Sequence, residues 1–305
     1  MSRLTSSELC TALATRALDV HYQPIATWTG TGSWEITGVE ALLRCRRASG
    51  ERVPPDRVLP VAERGGLIGQ LTHYVLSHTL RSLNVWQENG VQLNASVNLH
   101  AESLMDTSLA DRVVGVAEQH GIDPRRLTLE ISERTPVVDL RRARWTLNGL
   151  RAAGVRVALD DFGTGFALFT RIDTLPCDGI KIDKALVLNM RRTQEAENAV
   201  AALVELGHSR SLNVCAEGVE DEIALRTLGN LDCDSVQGYL LGRATAVGEV
   251  PALIEHWQAH AHSRTPRHFQ QHELPGMFGH GVPLADSGVY LALDESSVPP
   301  ATTAA

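Results

Sequence analysis

The stretch Val155-Arg156-Val157-Ala158-Leu159-Asp160-Asp161 is an apolar run that ends in two adjacent carboxylates. It follows a helical pattern over Leu140–Ala153 and a stop at Gly154. A helix, a glycine stop and a short β-branched run are together typical of one repeating unit of a parallel α/β fold. The same unit recurs along most of the chain, and this recurrence decides the predicted fold.

Eight strand-like runs can be read from the sequence, with helical patterns between most of them. The predicted strands are Val20–Ile25, Ile36–Arg44, Leu93–Leu99, Leu127–Ile131, Val155–Leu159, Gly179–Ile182, Asn213–Ala216 and Ser235–Leu240. The predicted helices between them are Leu71–Glu88, Leu109–His120, Leu140–Ala153, Glu195–Ser209 and Glu222–Leu228. Eight strands joined by helical crossovers are typical of a parallel (β/α)8 barrel, the TIM barrel.

The connection between the first two strands departs from the ideal barrel. Ala26–Glu35 is rich in Thr and Gly and too short for a crossover helix, so these strands are predicted to pair as an antiparallel hairpin. The predicted fold class is therefore α/β, a modified TIM (β/α)8 barrel with an antiparallel first strand. An open doubly wound sheet is the alternative, although no G-x-G-x-x-G follows the first strand.

The two ends of the chain differ in character. Thr5 and Glu8 form a capping box for an opening helix that is predicted to end near Leu18. From His262 the periodic pattern dissolves, which predicts a folded domain over 1–262 and an extended, poorly ordered tail over 263–305. Several histidines lie near this boundary, so a metal site in the tail is the alternative to a solvated segment.

Composition excludes several classes of protein. The 305 residues have a formal net charge of −8, which argues against binding polymeric nucleic acid or an anionic membrane surface. No window reaches the roughly 18 apolar residues of a membrane span, and the first residues lack the apolar segment of a secretory signal. Five cysteines without a C-x-x-C pair are typical of reduced thiols, which predicts a cytoplasmic protein.

Polar residues lie late in, or directly after, seven successive predicted strands. These residues are Glu40, Asn98, Glu130, Asp160, Asp161, Lys181, Glu217 and Gln237. In a barrel of this kind the carboxyl ends of the strands meet at one face, where functional groups collect. Five carboxylates facing one cavity repel each other and need cations, and oxygen ligands without His or Cys favour Mg²⁺ or Mn²⁺.

The adjacent pair Asp160-Asp161 suggests two ions, the usual apparatus for hydrolysing phosphate esters. Lys181 would supply a cation close by, because its isoleucine neighbours favour an inward-facing amine. On spacing alone, an enolase-type barrel with a metal-stabilised enediolate is the main enzymatic alternative. The Asp161-Phe162-Gly163 match to protein kinases lacks the H-R-D and Gly-rich loops that would support it.

The residues themselves resemble one family. Glu40-Ala41-Leu42-Leu43-Arg44 is the E-A-L-L-R string of the EAL domain family, the bacterial cyclic di-GMP phosphodiesterases. Nine further blocks resemble the family's motifs in the same order. They are Tyr22-Gln23-Pro24-Ile25, Leu59–Glu63 with Gly66-Leu67-Ile68, Val97-Asn98-Leu99, Leu129–Glu133, Asp160–Gly165, Leu175-Pro176, Lys181-Ile182-Asp183, Ala216–Glu220 and Gln237-Gly238-Tyr239.

This resemblance implies a metal-dependent phosphodiesterase that hydrolyses cyclic di-GMP to linear pGpG and lowers the level of this second messenger. Glu40, Asn98, Glu130 and Asp160 would hold one ion, and Asp160, Asp161 and Glu217 a second. Lys181 would orient the attacking water or help to deprotonate it, with Glu217 as its competitor for the role of base. The remaining implied roles are dinucleotide contacts from Gln23, Leu43 and Arg44, a water contact from Gln237, and loop support from Glu133.

The loop that Glu133 would steady follows the strand Val155–Leu159 and in this family leads to a dimer contact, so a homodimer is one expectation. The sequence also departs from the family pattern at Cys45, His100, Ser132 and Phe166-Ala167-Leu168. The last of these replaces two hydroxyls and motivates an alternative function, a receptor that binds cyclic di-GMP without cleaving it. A scaffold whose tail recruits a partner is a third hypothesis.

Overall fold

The computed structural model of the chain describes residues 4–15, 17–29, 33–47, 50–133, 136–163 and 172–264. The altered Phe166-Ala167-Leu168 segment and nearly all of the predicted tail over 263–305 lie outside these residues. All of the described elements belong to one compact unit, Met1–Pro266.

Eight strands close into a barrel. They are β1 (Leu18–Trp28), β2 (Trp34–Arg46), β4 (Asn94–Asn98), β5 (Leu127–Ser132), β6 (Arg156–Phe162), β7 (Gly179–Ile182), β8 (Asn213–Glu217) and β9 (Ser235–Gln237). β1 is antiparallel to both of its neighbours, β2 and β9, and every other neighbouring pair in the barrel is parallel. The short β3 (Arg52–Val53) extends the end of β2. The predicted barrel with an antiparallel first strand is confirmed.

Nine α-helices are described around the barrel strands. They are α1 (Ser6–Thr15), α2 (Pro55–Arg64), α3 (Ile68–Glu88), α4 (Leu109–Gln119), α5 (Leu140–Ala152), α6 (Lys184–Met190), α7 (Gln194–Ser209), α8 (Glu222–Asn230) and α9 (Val250–Arg264). Short 3₁₀ turns lie at Ala101–Met105, Pro124–Arg126 and Val247–Glu249. None of the described helices has the length and apolar character of a membrane span.

The strands separate the hydrophobic core from the interior of the barrel. On β5, Leu127, Leu129 and Ile131 are fully buried in the core, while Thr128 and Glu130 line a cavity inside the barrel. This follows from the alternation of side chains along a strand, which directs successive residues to opposite faces. The apolar face therefore stabilises the fold, and the polar face is available for chemistry.

Several predicted bounds differ from the structure. The capping box is confirmed, since Thr5 N donates to Glu8 Oε2 at 2.8 Å and Glu8 N donates to Thr5 Oγ1 at 3.2 Å. The helix it starts ends at Thr15, because Leu18 already pairs with Cys45 in β1. β9 ends at Gln237, three residues earlier than predicted, because the chain turns back so that Leu240 N donates to Val219 O.

Three helices were not predicted, namely α2, α6 and α9. In α2 the internal Pro60 obscures the helical pattern in the sequence. Pro55, by contrast, is at the first helical position, where a proline is favourable. α9 continues to Arg264, past the predicted domain boundary at 262.

Candidate active site

A buried lysine lies among four carboxylates inside the barrel. Lys181 on β7 is 3% exposed, and its Nζ lies 2.6 Å from Glu217 Oε1 and 2.9 Å from Glu130 Oε2. The same nitrogen is 3.4 Å from Glu40 Oε2 and 3.8 Å from Asp160 Oδ1. The four acids come from four different strands, β8, β5, β2 and β6, so closure of the barrel is what brings them together.

Two amides hold the carboxylate of Glu40. Asn98 Nδ2 donates to Glu40 Oε1 at 2.7 Å, and Gln237 Nε2 donates to Glu40 Oε2 at 2.6 Å. Gln237 Nε2 also donates to Gln23 Oε1 at 3.2 Å. The Oε1 atom of Gln237 is buried and has no hydrogen-bond partner among the described residues. It is therefore free to accept a hydrogen bond from a water molecule or another donor in the site.

The cluster carries more negative than positive charge. Burial raises the pKa of Glu130 well above its ordinary value and the pKa of Glu217 to about 7, although Lys181 acts in the opposite direction. Burial likewise raises the pKa of Asp160. Burial by itself would lower the pKa of Lys181, but Glu130 and Glu40 raise it well above its ordinary value, so the side chain remains an ammonium.

A divalent cation would correct this deficit of positive charge. Among the described residues, no three Asp, Glu, His or Cys side chains already form a group that could hold an ion. Lys181 Nζ lies between the carboxylates instead, so coordination requires some of them to rotate away from it. The donors are nevertheless carboxylate and amide oxygens, which are the ligands that Mg²⁺ and Mn²⁺ prefer. The chemistry of the donor set and the charge deficit both fit such ions.

Asp161 is positioned by the end of β5. Its backbone φ of 58° lies in the left-handed region, which costs a non-glycine residue on the order of 1 kcal/mol. Ser132 Oγ donates to Asp161 Oδ2 at 2.9 Å, and Asp161 N donates to Asp160 Oδ1 at 2.8 Å. Beside them the buried Glu133 accepts a hydrogen bond from Gly163 N at 3.4 Å. Ser132 at the end of β5 and Glu133 directly after it therefore support the aspartate pair and the turn that follows β6.

Ser132→Ala is expected to weaken the binding of Mn²⁺ by about tenfold, because Asp161 loses a hydrogen bond that fixes its carboxylate orientation. Ser132→Thr, which keeps the hydroxyl, is the matched control and should stay close to the wild type. Calorimetric titration of both variants with Mn²⁺ would check this. Equal loss in the two variants would show that packing at this position matters and the hydroxyl does not.

The predicted dinucleotide contacts fall into two groups. Gln23 joins the amide network of Gln237, whereas Arg44 lies further along β2 and donates from Nη1 to the Leu43 carbonyl at 3.1 Å. Leu43 is 9% exposed and belongs to the hydrophobic core. Gln23 and Arg44 line one cavity of about 520 Å³. Burial lowers the pKa of Arg44.

Some residues of this region were not among the predicted site residues. They are Ser132 beside Asp161, and Arg46, Arg52 and Arg243 around the same cavity. Arg44 and Arg46 lie two apart on one strand, and this spacing places them on one face. That spacing is visible in the sequence, but the approach of Arg52 and Arg243 to them is not.

Stability without divalent ions is expected to fall as the pH rises from 5.5 to 8. The pKa of Glu217 is about 7 in the folded chain and near 4.3 when unfolded, so the folded state holds an extra proton between these values. The extra proton stabilises the folded state fully below about pH 4.3, and this stabilisation is lost as the pH passes 7. Between pH 5.5 and 8 the loss is about 2 kcal/mol for Glu217. The raised pKa values of Glu130 and Asp160 act in the same direction.

Urea unfolding in EDTA at both pH values would measure this loss. Glu217→Gln should reduce the pH dependence, whereas Glu220→Gln, at an exposed glutamate three residues away, should not. Added Mg²⁺ should stabilise the wild type more at pH 8 than at pH 5.5. Identical slopes in the wild type and Glu217→Gln would contradict the expectation.

Comparisons of this chain with protein-family models and known proteins identify the same family. The family model of the EAL domain matches residues 6–244. An uncharacterized signaling protein of Caulobacter vibrioides is 38% identical over 245 residues, which cover 80% of this chain and 30% of that protein. MucR of Pseudomonas aeruginosa, a bifunctional diguanylate cyclase/cyclic di-GMP phosphodiesterase, is 35% identical over 248 residues, 81% of this chain and 36% of MucR. This chain thus spans about a third of the length of these relatives.

Solved structures agree with this result. The PaMucR phosphodiesterase in its c-di-GMP complex superposes with a TM-score of 0.73 at 34% identity, covering 80% of this chain and 98% of that one. The FimX EAL domain from Pseudomonas aeruginosa bound to c-di-GMP gives a TM-score of 0.70 at 25% identity, covering 78% of this chain and 95% of that one.

Proposed function

This chain belongs to the EAL domain family, and on that premise we propose that it is a metal-dependent phosphodiesterase that hydrolyses cyclic di-GMP to linear pGpG. The observation that carries the proposal is the buried Lys181 among the carboxylates of Glu40, Glu130, Asp160 and Glu217. The phosphodiesterase and c-di-GMP complexes among its relatives support the choice of substrate.

The residues that would hold the ions are those implied by the family pattern. They are Glu40, Asn98, Glu130, Asp160, Asp161 and Glu217. When bound, Mg²⁺ or Mn²⁺ would neutralise these carboxylates and polarise the phosphodiester as a Lewis acid. The buried excess of negative charge supports this assignment, since the carboxylates without cations are costly to ionise.

The chain's own groups divide the proton chemistry between them. Lys181 is held as an ammonium by its carboxylate neighbours, so it donates hydrogen bonds and is unsuited to act as a base. Glu217 contacts it directly and keeps some solvent access, 19% of its side chain, so it is the better acceptor for the proton of the attacking water. The unpaired Gln237 Oε1 can orient that water by accepting its other hydrogen.

In the proposed reaction, the oxygen of water forms a bond to phosphorus and the bond from phosphorus to one ribose O3′ breaks. Glu217 accepts the proton lost by the water, the leaving O3′ oxygen takes up one proton from solvent, and Glu217 then releases its proton to solvent. Lys181, buried at the centre of the site, would stabilise the negative charge that develops at the phosphoryl oxygens. The product is the linear dinucleotide with a free 5′-phosphate.

Turnover by the purified chain tests the proposal. Conversion of cyclic di-GMP to pGpG, followed by chromatography, is expected with Mn²⁺ or Mg²⁺ and should stop when EDTA is added. Tight calorimetric binding of cyclic di-GMP without any turnover would overturn the enzymatic proposal in favour of a receptor. The segment that motivates the receptor, Phe166-Ala167-Leu168, lies outside the described residues, so this assay decides between the two.

A further inference from the structure

The cavity inside the barrel extends from the carboxylate cluster towards the amino-terminal ends of the strands. It has a volume of about 190 Å³, and Lys181 and Glu130 line it. The first residues of β4, β6, β7, β8 and β9 also line it, namely Asn94, Arg156, Gly179, Asn213 and Ser235. Arg156 and Asn213 are exposed, so the cavity opens to solvent at this end. This cavity is here called the barrel well.

Small side chains keep the barrel well open. The interior of a parallel α/β barrel is ordinarily filled by layers of bulky branched side chains. Six positions along the well carry only small side chains or none, namely Gly38, Ser96, Ala158, Gly179, Cys215 and Ser235. The well therefore reaches Lys181 and Glu130, which are buried and lie 2.9 Å apart, from the amino-terminal side.

The polar side chains of the well lack partners. Ser96 is 8% exposed, and neither it nor Asn94 nor Thr128 makes a side-chain hydrogen bond within the part of the chain that the structure describes. Ser96 lies between the buried Ala95 and Val97 on β4, so its hydroxyl is directed to the opposite face of the strand, into the well. Buried polar groups are normally hydrogen-bonded. These three groups therefore indicate an occupant that donates and accepts hydrogen bonds.

The acidic groups near the open end of the well already have partners. Asp178 Oδ1 lies 2.7 Å from Arg151 Nη2, and Asp234 Oδ2 lies 3.0 Å from His208 Nε2. Between its two ends the well is lined by hydroxyls, amides, a thiol and apolar groups. An ion placed there would lose its hydration without meeting an opposite charge, so the lining favours an uncharged ligand.

The volume of the well limits the size of this ligand. A protein cavity of about 150 Å³ holds one benzene molecule, so about 190 Å³ has room for roughly six to eight non-hydrogen atoms. Pockets for drug-sized ligands are larger, about 300–1,000 Å³. A nucleoside is therefore too large for the well.

We propose that the barrel well is a binding site for a small uncharged polyol of about four carbons. Its hydroxyl groups pair with Asn94, Ser96 and Thr128, and its inner end contacts Lys181 and Glu130. The site does not depend on the proposed hydrolysis. Its effect on turnover rests on that function, since a ligand that contacts Lys181 and Glu130 disturbs the cluster and lowers kcat.

The thiol of Cys215 reports access to the well. Cys215 lines the well and pairs with Lys181 in the β7–β8 register, while Cys10 is exposed and Cys233 is buried. Methyl methanethiosulfonate is small and uncharged, and it transfers a methylthio group. A disulfide bond forms at the thiol sulfur, methanesulfinate leaves, and the thiol proton goes to solvent.

Of these three thiols, the uncharged reagent should label Cys10 and Cys215, and the anionic 2-sulfonatoethyl methanethiosulfonate should label only Cys10. Burial raises the pKa of the Cys215 thiol to about 12, which slows both reagents alike. The difference between the reagents at Cys215 therefore measures admission to the well. Peptide mass spectrometry gives the extent of labelling at each position, with Cys233 as the unreactive control.

Protection by erythritol, a four-carbon polyol, tests binding. Erythritol should slow labelling of Cys215 in a saturable way, by about tenfold at ten times its Kd, and leave Cys10 unchanged. Mannitol, a six-carbon polyol too large for the well, is the control at equal concentration and should protect neither thiol. Ser96→Ala should raise the Kd of erythritol by about tenfold. Ser103→Ala, at an equally buried serine outside the well, should leave it unchanged.

Absence of Cys215 labelling would overturn the inference, because the well would then be closed. Labelling that erythritol does not slow would overturn it as well, since the well would hold water only, and so would equal protection by mannitol or equal effects of the two serine variants. These readouts need no turnover, so they stand even if the proposed hydrolysis fails. An unchanged kcat for cyclic di-GMP at saturating erythritol would refute the effect on the active site.

Discussion

Lys181→Met is expected to lower kcat/KM for cyclic di-GMP by about 10³-fold, because the variant would lack the positive charge that the proposed mechanism places at the phosphoryl oxygens. The same change should lower the free energy of unfolding in EDTA by about 3–5 kcal/mol at pH 8, since it leaves buried carboxylates without their ammonium. Added Mg²⁺ should restore much of that stability without restoring turnover. Kinetics and urea unfolding, each with and without Mg²⁺, measure the two effects.

Lys184→Met is the matched control for this variant. Lys184 lies three residues further along, at the start of α6, and its side chain is exposed. It should keep wild-type kinetics and stability. Near-normal turnover in Lys181→Met would contradict the role assigned to the ammonium, whereas loss of stability that Mg²⁺ cannot restore would contradict the charge deficit.

Glu40→Gln is expected to reduce turnover by about 10³-fold or more, the size of effect seen when a preorganised electrostatic contact is removed. Glu40 accepts hydrogen bonds from Asn98, Gln237 and Lys181. A glutamine there would turn an NH₂ group towards one of these donors and would also remove a negative charge that attracts the cation. Weaker Mn²⁺ binding by calorimetry should therefore accompany the loss of activity.

Glu35→Gln tests whether the loss of any negative charge on β2 is sufficient to lower turnover and metal binding. Glu35 is exposed on the same strand and should have no effect on turnover or on metal binding. Equal inactivity of the wild type and Glu40→Gln, with Mn²⁺ bound by both, would refute hydrolysis as the function. Unchanged Mn²⁺ affinity together with lost turnover would remove Glu40 from the metal ligands but keep it in the site.

Much of the fold was predictable because its determinants are local in the sequence. The strand pattern of Val155–Leu159 and the helical pattern of Leu140–Ala153 are visible in the sequence itself. The Ala26–Glu35 connection is too short to contain a crossover helix. The helix α2 was missed because its internal Pro60 breaks the expected pattern, and only packing of Val58, Val61 and Ala62 into the core identifies it.

The acids and amides of the site were predictable for a related reason. Parallel strands expose their carboxyl ends at one face, so Glu40, Asn98, Glu130 and Asp160 could be grouped from strand positions alone. Their pairing was not predictable. That Lys181 lies against Glu40, Glu130, Asp160 and Glu217, and so remains an ammonium, depends on the interatomic distances created when the barrel closes.

The sequence by itself therefore determined the barrel, the antiparallel first strand and the set of strand-end polar groups, because periodicity and strand order are properties of neighbouring residues. Only the tertiary structure decided which of these groups form ion pairs with each other and which further residues lie beside them. The cavity that Arg44, Arg52 and Arg243 line together shows this most directly. Arg52 and Arg243 are distant in the chain, and they meet Arg44 because β3 pairs with β2 while the turn after β9 packs beside β1.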